Sequence, residues 1–449
     1  MKFLNKLLSI LQQRIDISSL VFYRIAFGGI MMWEVYRYFS KGWIERYFIT
    51  PKFYFTFDGF HWVSPWEGDG MYIHFAVLGV LAFFILIGFL YRISTVLFFL
   101  GFTYIFLLDK TNYLNHFYLI SLLSFLMIFL PANRAWSVDA KIMPKIRANT
   151  IHAWPVWLLR FQLGVAYFYG GIAKITPDWL QGEPMGIWLS PNQDVPVIGP
   201  LFVQSWTPYF FSYSGLLLEL LIVRALLWKR TRVWAFIFIT MFHLMNAWLW
   251  KIGIFPWFMI AATTLFFEPD WFRKIINSTF RAFSFPHYTD ADKNQQFSRP
   301  LMTFLGLFAL VQILVPFRHL FSEGNVNWNE VGHRFSWHMK LRDKRASGDF
   351  LVKNLETQQT YEIKPRKFLT KRQNRKMLMR PDMVLQFAQY LKDIHAKEGF
   401  HHIEVNARIK ASLNGRKKQW LIHPNVDLVK INGKTPHKEW IMPLTTPLR

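Results

Sequence analysis

Long apolar runs fill the first 318 residues and fix the solvent in which this part of the chain must fold. A helix needs about 20 consecutive apolar residues to cross the hydrocarbon core of a bilayer. Runs of that kind occupy 18–38, 72–90, 93–108, 114–131, 155–175, 208–227, 233–249, 252–267 and 301–318, which predicts about nine crossings. Lipid offers no partner to backbone N–H and C=O groups, so each run is expected to be helical. The amino-terminal MKFLNKLLSILQQR mixes basic and apolar residues at helical spacing and lacks a small-residue cleavage site. It reads as an interfacial helix rather than a removed signal.

Basic residues crowd four places: the amino terminus (Lys2, Lys6, Arg14), the 132–147 loop (Arg134, Lys141, Lys145, Arg147), the turn Lys229-Arg230-Thr231-Arg232, and the 272–299 loop (Arg273, Lys274, Arg281, Lys293, Arg299). With nine crossings all four share one side, which the positive-inside rule makes cytoplasmic. Everything after residue 318 then faces outward, to a periplasm or a lumen.

From residue 319 the apolar runs give way to alternation, which sets residues 1–318, a transmembrane helical domain, apart from 319–449, an outward-facing domain. Phe350–Val352 and Thr360–Ile363 read as strands, and Arg380-Pro381-Asp382 opens a helix over Pro381–Ala396. His402–Leu413 alternates, Asn414-Gly415 is a two-residue hairpin turn, and Gln419–Ile422 returns. The expected fold class is therefore a polytopic α-helical membrane protein with a mostly β extramembrane domain carrying one helix.

The chain has no Cys, which removes disulfides, thiolate zinc sites and a catalytic thiol. His401-His402 and the other His residues show no HExxH-like spacing, so no metal is expected, and no Gly-rich phosphate loop sits between a strand and a helix. The net charge of +24 raises the question of nucleic acid. Much of it is the loop signal already described, and the rest lies on the outward domain, where an acidic peptide or a lipid headgroup is the expected partner.

Against this background Lys174 stands out, an amine at the end of the apolar run Trp157–Ile175. An ionisable group at membrane depth is costly, so it is either functional or a helix-end residue snorkelling to the interface. Asn115, His116, His243 and Asn246 fall at the same outer depth, on other helices. Each alone reads as a packing residue that satisfies its own hydrogen bonds, but their coincidence with Lys174 marks a site. Arg24, Arg160 and Glu219 form a second set nearer the cytoplasmic side, expected to neutralise one another within the bundle.

The blocks Leu107-Leu108-Asp109-Lys110-Thr111 with Asn115-His116, Asn133 to Asp139 (NRAWSVD), Gly170-Gly171-Ile172-Ala173-Lys174 with Asp178-Trp179, and Phe242-His243-Leu244-Met245-Asn246 with Ile252 to Phe255 together resemble the vitamin K-dependent γ-glutamyl carboxylase family. The likeness continues through Ser336-Trp337, Met339 and His423 to Val429 (HPNVDLV), and so runs in order over nearly the whole chain. It implies an enzyme that uses reduced vitamin K, O2 and CO2 to convert protein-bound Glu to γ-carboxyglutamate, releasing the epoxide. In that family an essential amine, here Lys174, takes a proton from the hydroquinone, and the oxygenated quinone becomes a base able to remove a Glu γ-proton. A bilayer-embedded cavity suits such chemistry because it excludes water and admits an isoprenoid quinone.

The resemblance places Asn115, His116, His243 and Asn246 near the quinone, with Phe255 lining the cavity. It places Trp337 in the Glu-binding segment, where Lys340, Arg342 and Lys344 are candidates to attract a carboxylate. Phe335, His338 and Arg342 depart from the Tyr, Asp and His usual there in animal members, and the chain stops short of their further lumenal sequence. These departures point to a bacterial relative in the inner membrane, its outward domain periplasmic, with a different peptide substrate. No nucleic-acid partner and no metal are implied. Two other readings stay open at this point: a quinone epoxidase that does not carboxylate protein, and a non-enzymatic lipid-binding or transport protein, which has no use for the Lys174 constellation.

Overall fold

The computed structural model describes residues 2–448 apart from 197, 280–284, 286, 287 and 289–297. Arg281 and Lys293, counted above in the 272–299 loop, lie outside the described residues. Helix α1 (Lys2–Gln12) leads into strand β1 (Arg14–Asp16) and then into α2 (Ser18–Ser40), α3 (Gly70–Ile87), α4 (Tyr91–Leu107) and α5 (Asn115–Met127). A short α6 (Val138–Ile142) precedes β2 (Thr150–His152), which pairs antiparallel with β1. Helix α7 (Trp154–Ile172) is followed by two short helices, α8 (Pro177–Leu180) and α9 (Met185–Leu189), and by α10 (Thr207–Leu227). Then come α11 (Arg232–Trp250), α12 (Phe255–Thr263), α13 (Trp271–Thr279) and α14 (Arg299–Leu314).

Among the described residues four helical stretches are long and apolar enough to cross a bilayer: Gly70–Ile87, Thr207–Leu227, Arg232–Trp250 and Arg299–Phe321. Tyr91–Leu107, Asn115–Met127 and Phe255–Phe266 are shorter apolar helices. Their outer faces are apolar as well as their inner ones. Helix α3, for example, buries Met71, Phe75 and Leu78 while exposing Ile73, Val77 and Val80. A helix apolar all round needs an apolar solvent on its free face. The run from 233 to 267 is divided where Lys251 and Gly253 take left-handed conformations (φ 49° and 72°), so α11 and α12 pack side by side.

The rest of the chain opens with α15 (Val326–Asn329) and builds a four-stranded antiparallel sheet in the order β4-β3-β5-β6 from β3 (Lys344–Asn354), β4 (Thr360–Ile363), β5 (Ile403–Leu413) and β6 (Gln419–Trp420). In β5 every second residue, Ile403, Val405, Ala407, Ile409, Ala411 and Leu413, is buried, the period of a strand with one covered face. Helix α17 (Pro381–Lys397) covers it with Met383, Val384, Phe387 and Leu391.

Two expectations need correction here. Where one helix is expected, the domain carries three: beside α17 and the short α15 stands α16 (Lys371–Leu378), whose polar sequence KRQNRKML hides it from an apolar count but whose Thr370/Gln373 capping box starts it firmly. The hairpin at Asn414-Gly415 is also wider than a two-residue turn, since the last paired residues are Ala411 and Gln419. Asn414 and Gly415 do adopt positive φ (48° and 76°), but Arg416 is drawn inward by a partner on another element, which opens the loop.

Candidate active site

The last turn of helix α7 contains Gly170-Gly171, and these two glycines decide what Lys174 can reach. A Cβ on Gly171 would stand 3.1 Å from the Leu220 backbone nitrogen, and one on Gly170 would stand 2.7 Å from Glu219 Oε2. Without those carbons α10 approaches α7 closely enough for Lys174 Nζ to lie 2.5 Å from Glu219 Oε2. The amine also donates to Gly170 O at 3.1 Å and sits 5.3 Å from the centroid of the Trp179 ring. Both partners are buried, Lys174 at 4% and Glu219 at 7% exposure. The short α8 that carries Trp179 starts at Thr176, whose hydroxyl accepts the Trp179 N–H, with Pro177 at its first position.

The second set of polar residues inferred from the sequence does not exist as a set. Glu219 pairs with Lys174, Arg24 donates to the carbonyls of Ala132, Ala135 and Trp136, and Arg160 donates to those of Leu265 and Phe267. Carbonyls at helix ends and in irregular turns have no intrahelical donor, and a guanidinium fork satisfies several of them at once. The depth expected for Glu219, nearer the cytoplasmic side, is corrected too, since its carboxylate stands at the level of the Lys174 amine. The rule that singled out Lys174, a charge inside an apolar run, also marked Glu219, but gave it other partners than the amine it meets.

Lys174 and Glu219 line a cavity of about 480 Å³ with predominantly apolar walls, a size typical of small-molecule sites. Asn115, His243, Asn246, Phe255, Trp337 and Lys340 stand on the same wall, so the fold gathers them from four separate segments. His116 does not line it; its ring packs 5.5 Å from that of Phe255, which in turn meets His243 at 5.7 Å. The His243 Nε2 and the Tyr167 hydroxyl are 2.8 Å apart, and Asn246 Nδ2 donates to Phe242 O. Asn115 is committed within the protein: its Oδ1 accepts from the Tyr113 hydroxyl and its Nδ2 donates to His338 O at 3.0 Å.

That last bond fastens residues 335–340 over the cavity. Phe335, Trp337 and Lys340 all have positive φ (63°, 58° and 49°), a conformation costly for residues with side chains. The segment is held by the Phe335 N–H donating to the Tyr113 hydroxyl at 2.7 Å and by Trp337 stacking on Tyr118 at 5.0 Å. The outcome places Lys340 between the rings of Trp188 and Trp250, at 5.1 and 5.3 Å, as a cation with aromatic neighbours. Desolvation lowers its pKa from the usual lysine value.

Arg342 and Lys344 are placed elsewhere, in an ion-pair cluster around buried Glu330. Arg342 Nη2 is 2.5 Å and Lys344 Nζ 3.3 Å from its carboxylate, with Arg380 at 4.0 Å. Arg342 also contacts His333, and Lys344 donates to Trp328 O. Burial opposes ionisation of Glu330, but Arg342, Lys344 and Arg380 outweigh it and hold the carboxyl below its usual range. Burial pushes the Lys344 amine down to about 8, with Glu330 working against the shift. Neither cation stands open to a ligand carboxylate in this arrangement.

A further contact joins the sheet to the cavity wall. Asp178, next to Trp179 on α8, receives Arg416 through both oxygens at 2.5 and 2.7 Å and Asn414 Nδ2 at 2.7 Å. All three residues are buried. The loop widened by Arg416 thereby fixes the helix that carries Trp179 beneath the Lys174 amine.

Comparison with known proteins bears on what this arrangement is for. Residues 12–271 match the family model for the HTTM domain, and residues 297–447 match that for the lumenal domain of vitamin K-dependent γ-carboxylase. The chain belongs to the vitamin K-dependent γ-carboxylase family. No solved structure matches it. The cavity of this family member lies where the two matched regions meet, since α7, α10 and α11 come from the first and Trp337, Met339 and Lys340 from the second. Family membership implies use of vitamin K hydroquinone. The walls fit such a group: apolar surface for a fused ring, with an amine, a carboxylate, an imidazole and amides at intervals for its two oxygens. Among the described residues no group of three or more His, Asp or Glu side chains is placed to hold a metal.

Proposed function

We propose that this chain is a γ-glutamyl carboxylase that couples oxidation of vitamin K hydroquinone by O2 to the carboxylation of Glu in a peptide or protein with CO2. The observation that carries the proposal is the convergence of Lys174, His243, Asn246, Phe255, Trp337 and Lys340 on one apolar cavity. When bound, the hydroquinone and O2 supply the strong base that removal of a Glu γ-proton demands. Lys174 Nζ takes the hydroxyl proton, while His243 and Asn246 orient the ring, with His116 backing Phe255 from behind. Asn115 acts through the backbone of His338, holding the 335–340 segment closed. Phe255, Trp179 and Trp337 keep water out, which preserves a base that water would quench. Lys340, whose ammonium stands against the indole faces of Trp188 and Trp250, grips the Glu carboxylate. Arg342, spent on Glu330, takes no part in that grip.

We further propose nine membrane crossings by α2–α5, α7, α10–α12 and α14, the amino terminus inside and residues 319–449 outside, in a bacterial inner membrane with the outward domain periplasmic. A second reading, epoxidation without protein carboxylation, draws support from the committed state of Arg342 and Lys344, which leaves the Glu site with fewer free cations. One experiment separates the two. Purified protein is given reduced vitamin K, labelled CO2 and a Glu-containing peptide, and epoxide and fixed label are measured separately. Both products support the carboxylase, epoxide alone supports the second reading, and neither product, or full epoxidation by Lys174→Ala, refutes the proposal.

A further inference from the structure

An ammonium paired to a carboxylate has no lone pair, so the 2.5 Å contact of Lys174 with Glu219 conflicts with a base function for Lys174 acting alone. The pair is also a poor device for stability. Replacing a buried ion pair with apolar side chains is often neutral or stabilising, and both residues lie in a predominantly apolar wall. Its retention at the cavity therefore calls for a role in the chemistry.

We infer that Lys174 and Glu219 act as one proton-accepting unit in which Glu219 receives the proton that Lys174 must give up. This rests on the proposed quinol-oxidising function and adds a residue to it. In the first step the proton moves along the short hydrogen bond from Nζ to Oε2, leaving a neutral amine and a neutral carboxylic acid. A low-dielectric cavity narrows the gap between this form and the ion pair because no separated charges need solvation. In the second step the O–H bond of the bound hydroxyl breaks and a new N–H bond forms at Nζ. The unit then holds an ammonium and a carboxylic acid, and its net charge has gone from zero to plus one. That charge faces the oxyanion formed in the same step, so the cavity as a whole stays neutral. No external acceptor is needed.

Three features of the site serve this relay. The absence of a Cβ at Gly170 leaves room for Oε2, Gly170 O accepts a second Nζ hydrogen at 3.1 Å and keeps the amine aimed, and the Trp179 ring lies under the cation that reforms. Glu219 touches the amine rather than being shown against the reacting oxygen, so it is a positioning and relay residue.

The test uses the full-length protein in detergent or nanodiscs with reduced vitamin K. Glu219→Gln keeps size and an acceptor oxygen for Nζ but cannot take up a proton. If the relay operates, kcat for epoxidation falls by about 10²-fold or more, the scale of a lost general base, with little change in KM for the hydroquinone. Wild-type kcat in Glu219→Gln overturns the inference and leaves Glu219 a prop. A second arm does not depend on how well that variant folds. In Lys174→Ala a small alkylamine is drawn to the unpaired Glu219 and restores epoxidation, while in Lys174→Ala/Glu219→Gln, which removes the pair altogether, restoration is at least about tenfold weaker. Equal rescue in the two overturns the inference. A wild-type protein that makes no epoxide would instead refute the underlying function, so the two failures are distinguishable.

Discussion

Gly170→Ala is the sharpest probe of the site because the structure fixes both the size and the direction of its effect. The added methyl would stand 2.7 Å from Glu219 Oε2 and 3.1 Å from Met339 Cε. Ordinary contact begins at 3.4 Å, so the carboxylate must withdraw by roughly 0.7 Å, the repulsive wall being steep over that range. Both obstructing atoms end flexible side chains, so the helices need not separate and the fold is kept. The Lys174–Glu219 bond, however, must lengthen or turn. A misplacement near 1 Å can lower a rate by about 10²-fold, so epoxidation should drop about 10- to 100-fold while thermal unfolding changes little. Gly164→Ala supplies the control on the same helix and against the same α10. Its methyl would meet only Val223 side-chain carbons at 3.6 and 3.8 Å, and activity should hold. The assay is epoxide formation under saturating hydroquinone, with the unfolding midpoint of each variant measured in parallel. Wild-type epoxidation in folded Gly170→Ala would show that the spacing of this pair does not matter to the reaction.

Three other outcomes are expected. Asp178→Ala or Arg416→Ala strands a buried charge and should each cost about 3–5 kcal/mol, with the double variant less destabilised than the sum; additive losses in a thermal or denaturant cycle would exclude a direct pair. Burial, with Arg380, Arg372, Arg375 and Arg342 close by, pushes the Lys376 amine from 10.5 down to about 7. Between those pH values the unfolded chain binds the extra proton, so this residue makes stability rise with pH by up to about 1.4 kcal/mol per unit. Wild type should therefore gain more in unfolding midpoint than Lys376→Met from pH 7 to 9, and parallel curves would refute the assignment. Reporter fusions after residue 230 and at the carboxy terminus should report opposite sides of the membrane, and reporters on the same side would undo the separation of α11 from α12 as two crossings.

The sequence by itself determined the apolar helices, the change to an alternating strand pattern, and the polar residues Asn115, Lys174, His243 and Asn246 that the cavity wall brings together. These follow from local rules: apolar run length, the period of two in β5, and the cost of placing Lys174 at membrane depth. Family resemblance supplied Trp337 and Phe255, which no spacing rule marks. Only the tertiary structure decided who pairs with whom. Glu219 belongs to Lys174 because Gly170 and Gly171 let α10 come close, while Arg24 and Arg160 turn to backbone carbonyls. Arg342, equivalent to Lys340 on a sequence page, is bound to Glu330, whereas Lys340 opens on the cavity because three residues of its segment take left-handed conformations. A charge in a sequence carries a depth and a cost, but its partner is set by side-chain direction and helix spacing across residues far apart in the chain. Those quantities exist only once the helices have packed.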